Sequence, residues 1–226
     1  MLGERIDRVV PMSESDELAA MAALLYTISI DNAVHADAIV TFPGLGEWWR
    51  FEEPILWWVG GVTNARYLLL AGINTREQTS DVFDPSKLEQ YGLADLDGVV
   101  TQGHAEHTRE QAEWLAQKVR ELDLQSIALF APAYHLLRAY LTVLKTFLKE
   151  GILIPIFPVP NSVSPFTGIP EFDGSATGLD MLPGEFKRIH AYQEKGDVAD
   201  FGEFREYLRW FWSYKELFTA INSIKD

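Results

Sequence analysis

Two side chains that can carry positive charge, His135 and Arg138, follow the apolar run SIALFA and Pro132. A helix that begins at Pro132 would carry both residues in its first turns, at the positive end of the helix dipole, which favours anions over cations. One interpretation is a solvated polar face, because both residues lie opposite the leucine stripe of that helix. The other is a ligand site, in which Arg138 pairs with a phosphate or carboxylate and His135 acts as general acid or base.

The segment GHAEHTREQ holds a second set of side chains that could do chemistry: His104, Glu106, His107 and Glu110. Two histidines and an acid could bind zinc, but their spacing does not match H-E-x-x-H, and the sequence shows no obvious third ligand. Thr108 and Gln111 form a capping-box pattern, which predicts that a helix begins here. Its N–H groups and the Thr108 hydroxyl would then face a ligand. Solvent-exposed loop histidines are the alternative.

A glycine turn, with Gly44 and Gly46 in the motif GLG, follows the first apolar run and precedes Arg50. Glycine lets backbone N–H groups approach an anion closely, although Trp49 occupies the third glycine position of G-x-G-x-x-G. A tight strand-to-helix turn is the simpler interpretation. Trp48 and Trp49 could stack on a flat ligand, or they could pack beneath the loop.

The composition limits the classes of partner. The 226 residues suffice for one domain with a substantial core. The formal net charge of -14 disfavours nucleic acid and anionic membranes as partners, but a local arginine cluster can still attract a small anion. The absence of cysteine excludes disulfides and thiolate metal sites. No apolar stretch approaches the ~18 residues of a spanning helix, and the N-terminus lacks a secretion-signal pattern, so we expect a cytoplasmic protein.

Short apolar runs alternate with helix-length segments along the chain, at residues 36–46, 66–72, 98–103, 126–132 and 152–157. This alternation predicts an α/β fold with a parallel sheet that is covered on both faces. Ligands of such sheets bind beyond the carboxyl ends of the strands, near the topological switch point. A further helix is predicted over residues 13–30.

The C-terminal third has a different composition. Residues 158–183 are rich in Pro, Gly and Ser and predict a long loop, either a lid or a surface excursion. Residues 184–223 predict two helices around EKGDVAD, and the last is rich in large apolar side chains: Phe204, Tyr207, Leu208, Phe211, Tyr214 and Phe218. These side chains are expected to pack on the main domain or on a partner subunit. Association into a homo-oligomer is left open.

Several of these segments carry a resemblance to one known family. ADAIVTFPGLG, followed by Arg50, is similar to its opening strand and glycine-rich turn, and LLLAG, which ends at Gly72, is similar to its second strand. AEHTREQA resembles its segment S-x-N-T-x-E-N-A, and APAYHLLRA resembles T-S-x-Y-H-x-x-R-A. The matching positions are Thr108, Glu110, Ala112, Tyr134, His135, Arg138 and Ala139. MLPGEFKRI also looks like a segment of some members. The family is the YdcF-like (ElyC/SanA) family of bacterial proteins.

This resemblance implies a Rossmann-like three-layer domain with a mostly parallel sheet of about five strands. We assign residues 1–160 to that domain and residues 161–226 to a loop and C-terminal helices packed on it. The implied ligand is small and anionic or nucleotide-like, with S-adenosylmethionine, another nucleotide-like compound or a phosphorylated metabolite as examples, and the identity of any cofactor is left open. A non-catalytic interaction or cell-envelope protein is the alternative, and a metal-dependent hydrolase is a third hypothesis.

The prediction assigns catalytic roles to His135 and Glu110, with Glu110 orienting His135 or an arginine, or binding a ligand hydroxyl. The predicted ligand-binding residues lie on the loops that follow the strands: Gly44, Gly46, Arg50, Gly72, His104, His107, Thr108, Gln111 and Arg138. The arginines would neutralise the ligand, while the glycines and Thr108 would supply hydrogen bonds.

Overall fold

The computed structural model describes residues 21–22, 36–72, 85–93 and 95–213. Met21 and Ala22 are helical and Met21 is buried, but the rest of the helix predicted over residues 13–30 lies outside the described residues. Tyr214 and Phe218 also lie outside them.

The described residues form one five-stranded sheet in which every pairing is parallel. The strands are β1 (Ala38–Thr41), β2 (Tyr67–Leu70), β3 (Val99–Thr101), β4 (Ile127–Ala131) and β5 (Ile156–Pro160), in the order β3-β2-β1-β4-β5. Val40 of the central strand lies beside Leu69 on one side and Leu129 on the other. Every residue of β1 and β4 is buried, as is typical of a parallel sheet covered on both faces.

Helices flank this sheet within the described ranges: α1 (Trp49–Val59), α2 (Pro85–Gln90), α3 (Thr108–Glu121), α4 (Ala133–Lys149), α5 (Gly178–Glu194) and α6 (Phe201–Ser213). The predicted Rossmann-like three-layer α/β fold is therefore confirmed. The chain first adds β2 and β3 on one side of β1, then places β4 and β5 on the other side. The switch point consequently lies between the carboxyl ends of β1 and β4. No helix among the described residues is long and apolar enough to cross a membrane.

The polar face of α4 is covered, so the interpretation of a solvated face is wrong. His135 and Thr142 are buried and Arg138 is partly buried, because α5 packs against α4. The opposite stripe, with Leu137, Leu141 and Leu144, contributes to the core as expected. A buried histidine beside a partly buried arginine requires polar partners in the interior.

The fifth strand lies further along the chain than the predicted run of residues 152–157. It begins at Ile156 and includes Pro158 and Pro160. Proline cannot donate to a sheet, but β5 is an edge strand, where a missing N–H can face away from the neighbouring strand.

The loop predicted over residues 158–183 is correspondingly shorter. Strand β5 extends to Pro160, and α5 already begins at Gly178, despite Pro183 inside the helix. The early start has a local cause: Asp180 Oδ2 accepts hydrogen bonds from the Thr177 N–H at 2.9 Å and from its hydroxyl at 2.7 Å, which caps the helix. The connection therefore covers residues 161–177 and contains a short 3₁₀ turn at Pro170–Phe172.

The aromatic side chains of α6 pack on the sheet domain of this chain. Phe204, Tyr207 and Phe211 are buried in the common core. The Tyr207 hydroxyl also completes the free edge of the sheet, since it donates to the Ile154 carbonyl at 2.9 Å and accepts from the Ile156 N–H at 2.9 Å. This pair of bonds holds α6 against β5.

Replacement of Tyr207 by Phe should therefore destabilise the fold. The substitution leaves a buried N–H and a buried carbonyl without their partner, which costs about 1–3 kcal/mol. Urea unfolding followed by circular dichroism measures the free energy of unfolding. The control is Tyr67→Phe, at a partly exposed tyrosine of β2; equal stabilities of the two variants would contradict the role given to the Tyr207 hydroxyl.

Candidate functional site

A cavity of about 200 Å³ opens at the switch point, between the β1–α1 turn and the first turns of α4. The start of α3 and the first half of α5 complete its wall. Five of the predicted site residues line it: Gly44, Arg50, Thr108, His135 and Arg138. The structure thus brings together residues that are up to about ninety positions apart in the sequence, because the carboxyl ends of β1 and β4 are neighbours.

The centre of the site is the carboxylate of Glu185, a residue of α5 whose side chain is only 3% exposed. It accepts hydrogen bonds from Arg138 Nε at 2.6 Å, from Arg138 Nη2 at 3.2 Å and from Arg188 Nη1 at 2.8 Å. Arg138 Nη1 in turn donates to the Thr108 hydroxyl at 3.1 Å. Burial by itself raises the pKa of the Glu185 carboxyl, but the bonds and charges of His135 and Arg138 outweigh burial and hold that pKa well below its ordinary value. Glu185 is therefore ionised at neutral pH.

The ring of His135 contacts the same carboxylate, with Nδ1 at 3.3 Å from Glu185 Oε2. Burial, together with the positive charge of Arg138, lowers the pKa of His135 from 6.5 to about 4, although Glu185 acts in the opposite direction. The imidazole is consequently neutral at pH 7. An ionised carboxylate can only accept, so Nδ1 carries the proton and Nε2 is left with a lone pair. That nitrogen is suited to accept a proton or a hydrogen bond from a ligand.

Arg50 forms a second buried cluster, with Glu47 and Tyr134. Arg50 Nε donates to Glu47 Oε2 at 2.8 Å, and Arg50 Nη2 donates to the Tyr134 hydroxyl at 3.0 Å. The Tyr134 hydroxyl donates to the same Glu47 oxygen at 2.5 Å. Burial disfavours the cation, but Tyr134 and Glu47 outweigh burial and raise the pKa of Arg50, so it stays charged. These bonds tie the β1–α1 turn to the first turn of α4.

Net positive charge remains in the site. Three arginines line the cavity, Arg50, Arg138 and Arg188, and they face two buried carboxylates, Glu47 and Glu185. With His135 neutral, the difference is one positive charge. This local excess occurs in a chain whose formal net charge is -14.

The β1–α1 turn is conformationally unusual. Leu45, which lines the cavity, has φ of 58°, and Gly46 has φ of 67°. Glycine adopts this left-handed region readily, whereas a leucine pays about 1–2 kcal/mol. Such strain is concentrated at functional sites in proteins. Trp48 is half-exposed, whereas Trp49 is buried.

Gly72 and Gln111 do not line the cavity. Gln111 Nε2 donates to the Gly72 carbonyl at 3.0 Å, and the Gly72 N–H donates to Gln102 Oε1 at 2.8 Å. A Cβ atom on Gly72 would lie 2.5 Å from the backbone carbon of His104. These residues therefore hold the loops after β2 and β3 against one another, a positioning role that the sequence did not predict.

The segment 104–110 is arranged differently from the prediction. The residue that caps α3 is His107, whose Nδ1 accepts from the Glu110 N–H at 3.3 Å, and not Thr108 with Gln111. Glu110 Oε2 accepts from the Glu106 N–H at 2.6 Å, so its carboxylate stabilises this turn. The orienting role expected of Glu110 toward His135 and Arg138 belongs to Glu185 instead.

Both histidines of the segment, His104 and His107, are half-exposed. His104 Nε2 lies 3.6 Å from Glu106, and His107 Nε2 lies 3.7 Å from Glu110. The structure, in the part of the chain that it describes, holds no group of three or more His, Asp or Glu side chains placed to bind a metal ion. The metal-dependent hydrolase therefore gains no support from these residues.

The prediction missed four side chains of the two clusters: Glu47, Tyr134, Glu185 and Arg188. A signal for three of them was present, because Glu185 and Arg188 stand three residues apart in MLPGEFKRI, and Tyr134 precedes His135 directly. No family model, curated protein or solved structure matches the chain. The cationic cavity at the switch point is accordingly the feature from which a function can be inferred.

Replacement of Gly72 by Ala should destabilise the protein by about 1–3 kcal/mol, since the added methyl group overlaps the backbone of residues 104–105. The matched control is Gly103→Ala in the neighbouring loop, where nothing lies within 4 Å of an added Cβ. Thermal unfolding of both variants checks this. Two variants of equal stability would show that the loops after β2 and β3 separate at little cost.

The buried His135 should make stability fall at mildly acidic pH. Its folded-state pKa of about 4 lies below the ordinary 6.5, so the unfolded chain binds more protons between these values. The contribution of the neutral, buried His135 to the free energy of unfolding is complete above pH 6.5 and is lost as the pH falls toward 4. Between pH 7 and pH 5 the wild type should lose about 2 kcal/mol more than His135→Asn. Urea unfolding at both pH values measures this difference, and parallel pH profiles would contradict the assigned neutral imidazole.

Proposed function

We propose that the chain binds a small anionic metabolite, one that bears a phosphate or carboxylate group, in the cavity at the switch point. The observation that carries this proposal is the excess of one positive charge in a small cavity lined by Arg50, Arg138 and Arg188. An anion that enters would neutralise the excess in a region of low dielectric, where such pairing is strong.

Arg138 and Arg188 are the side chains best placed to contact the anion. A guanidinium has five N–H donors. The contacts of Arg138 with Glu185 and Thr108 engage three of them, and Arg188 contacts Glu185 through Nη1. Arg188 is 44% exposed, so it can turn toward a ligand at low cost. Arg50 is held by Glu47 and Tyr134 and would contribute its charge and the position of the β1–α1 turn.

The N-terminus of α4 adds to the attraction. The first N–H groups of this helix lie beside the cavity, at the positive end of its dipole. Cations at this end would be unfavourable alone. Glu185 offsets part of their charge, and a bound anion would offset the rest.

His135 would then serve as an acid–base group. Glu185 fixes the Nδ1–H tautomer, which leaves Nε2 to accept a proton from a ligand hydroxyl. An anion close to the ring favours the imidazolium form and would raise the pKa of His135 from its low value in the free protein. In this proposal, the arginines bind the ligand and His135 moves a proton on it.

Membership of the YdcF-like family and a cytoplasmic location remain part of the proposal. A phosphorylated metabolite and S-adenosylmethionine are both compatible with the anion-binding geometry, since each presents a phosphate or a carboxylate to the arginines. The apolar side chains of α6 that pack within the chain give no support to a partner-binding role.

Inorganic phosphate and S-adenosylmethionine should each be tested as stabilisers in thermal unfolding, since a ligand at one hundred times its Kd stabilises by about 2.7 kcal/mol. For a chain of this length, that corresponds to about 5 °C or more in Tm. Arg188→Gln and Arg138→Gln should each raise the ligand concentration that is needed for the same Tm shift at least tenfold. Arg120→Gln should not, because Arg120 is an exposed partner of Glu150 at the end of α3.

A shift that is the same in Arg188→Gln, Arg138→Gln and Arg120→Gln would contradict the proposed site. So would the absence of any shift with both compounds at millimolar concentrations.

A further inference from the structure

The charge of the switch-point cavity limits which anions it can hold. Three arginines line it: Arg50, Arg138 and Arg188. Two carboxylates, those of Glu47 and Glu185, are paired with them, so one positive charge is in excess. A monoanion cancels this excess, whereas a dianion would leave net negative charge beside two buried carboxylates, in a region of low dielectric. A phosphate monoester carries about -1.5 to -2 charges at pH 7, so a carboxylate with its single charge is the better match.

Two guanidinium groups and one hydroxyl provide donors for such a carboxylate. Arg138 is held in one orientation, because Nε and Nη2 donate to Glu185 at 2.6 and 3.2 Å and Nη1 donates to the Thr108 hydroxyl at 3.1 Å. Each Nη atom carries a second N–H that these bonds do not use. The Thr108 hydroxyl accepts from Arg138 and can donate its own proton. Arg188 contacts Glu185 through Nη1 at 2.8 Å, and its Nη2 can turn toward a ligand.

His135 presents a hydrogen-bond acceptor to the same cavity. Its Nδ1 lies 3.3 Å from Glu185 Oε2, which fixes the ring with Nε2 directed away from that carboxylate and holding a lone pair. His135 lines the cavity, and 5% of its side-chain surface stays accessible. Among the described residues, no side chain or backbone group bonds to Nε2. A ligand that fills the cavity must therefore bring a donor to this nitrogen, since a buried acceptor without a partner is unfavourable.

The acceptor and the arginine donors are close together. One oxygen, Glu185 Oε2, contacts both His135 Nδ1 and Arg138 Nε, and the two residues are one helical turn apart on α4. A hydroxyl on the carbon next to a carboxylate matches this short separation. An ammonium at the same position would also donate, but it would add a cation where positive charge is already in excess. The contacts therefore favour a hydroxyl as the second group of the ligand.

The volume of the cavity agrees with a compact ligand. It measures about 200 Å³. A cavity of ~150 Å³ accepts benzene, which has as many non-hydrogen atoms as lactate. The wall includes Met181, which is partly buried, and Arg188, whose side chain is 44% exposed, so a further substituent of the ligand can extend toward solvent on this side.

We infer that the ligand is a monoanionic 2-hydroxycarboxylate. Its carboxylate pairs with Arg138 and Arg188, with Thr108 as a further donor, and its hydroxyl donates to Nε2 of His135. This inference rests on the proposed function, which it narrows from any small anion to one chemical class. The hydroxyl of the ligand is then the group whose proton His135 would accept.

The hydroxyl is tested with three compounds on one carbon skeleton: lactate, propionate, which lacks the hydroxyl, and alanine, which carries an ammonium in its place. Titrations of the ¹⁵N-labelled full chain follow the imidazole nitrogens of His135 by NMR, assigned by their absence in His135→Asn. Lactate should bind about two- to tenfold more tightly than propionate, the range of one neutral hydrogen bond, and more tightly than alanine. Lactate should also shift Nε2 of His135 while Nδ1 keeps its proton.

The charge is tested with malate and the monoamide of its far carboxyl group, which have the same shape and differ by one negative charge. The monoamide should bind about tenfold more tightly than malate to the wild type. Met181→Lys adds one cation to the cavity wall outside both carboxylate clusters, and it should remove this preference. The matched control is Phe186→Lys, at an exposed position of α5 that does not line the cavity, and it should leave the preference unchanged.

Several results would overturn the inference: equal affinities for lactate and propionate, tighter binding of alanine, tighter binding of malate than of its monoamide to the wild type, or no response of His135 to lactate at its highest usable concentration. Arg188→Gln separates this inference from the proposed function. If that variant weakens the binding of the anions at least tenfold, the anion site stands and only the 2-hydroxycarboxylate is rejected. If it weakens none of them, the proposed function fails as well.

Discussion

A buried negative charge, the carboxylate of Glu185, is the constraint on which the site depends. An ion in a protein interior is tolerated only where partners replace the water that it loses. Arg138 and Arg188 supply most of that replacement, and His135 supplies one hydrogen bond. Because Arg138 also reaches Thr108, this single carboxylate holds the beginnings of α3 and α4 against α5. Burial and the positive charge of Arg138 keep the imidazole of His135 neutral, and Glu185 sets its tautomer.

Arg50 presents the converse problem, a buried cation, and the chain solves it with Glu47 and Tyr134. The two clusters meet in the first turn of α4, where Tyr134 belongs to one and His135 to the other. Their charges do not cancel, and the remaining positive charge is confined to a small cavity at the switch point. Confinement matters in a protein of net charge -14, since the long-range field repels anions and only short-range contacts in a region of low dielectric can reverse that repulsion.

Buried polar atoms close to this site show a different form of the same balance. Trp49 Nε1 and Asn161 Oδ1 are buried without a hydrogen-bond partner in the described part of the chain, which lowers stability. The left-handed conformation of Leu45 is a further local cost on the adjacent turn. Local losses of folding free energy of this kind are tolerated when the rest of the fold is stable enough to offset them. Here the common core beneath the site, with α6 held to β5 through Tyr207, provides that stability.

The sequence by itself determined the fold class and the edge of the sheet where a site would form. Apolar runs of strand length alternate with helical segments, and this periodicity is a local property that survives in any parallel α/β fold. The same periodicity placed four site residues on loops at the carboxyl ends of the strands: Arg50, Thr108, His135 and Arg138. Only the tertiary structure decided which carboxylate orients them, because Glu185 lies 47 residues beyond Arg138 and no local pattern records that α5 packs across α4. The sequence pattern therefore predicted a solvated polar face on α4. It also assigned the orienting role to Glu110, which is close in sequence to Thr108, whereas the actual partner of His135 and Arg138 is Glu185 of α5. Gly72 and Gln111 were likewise placed among the ligand-binding residues, since the loop contact that they make is visible only once the strands are side by side.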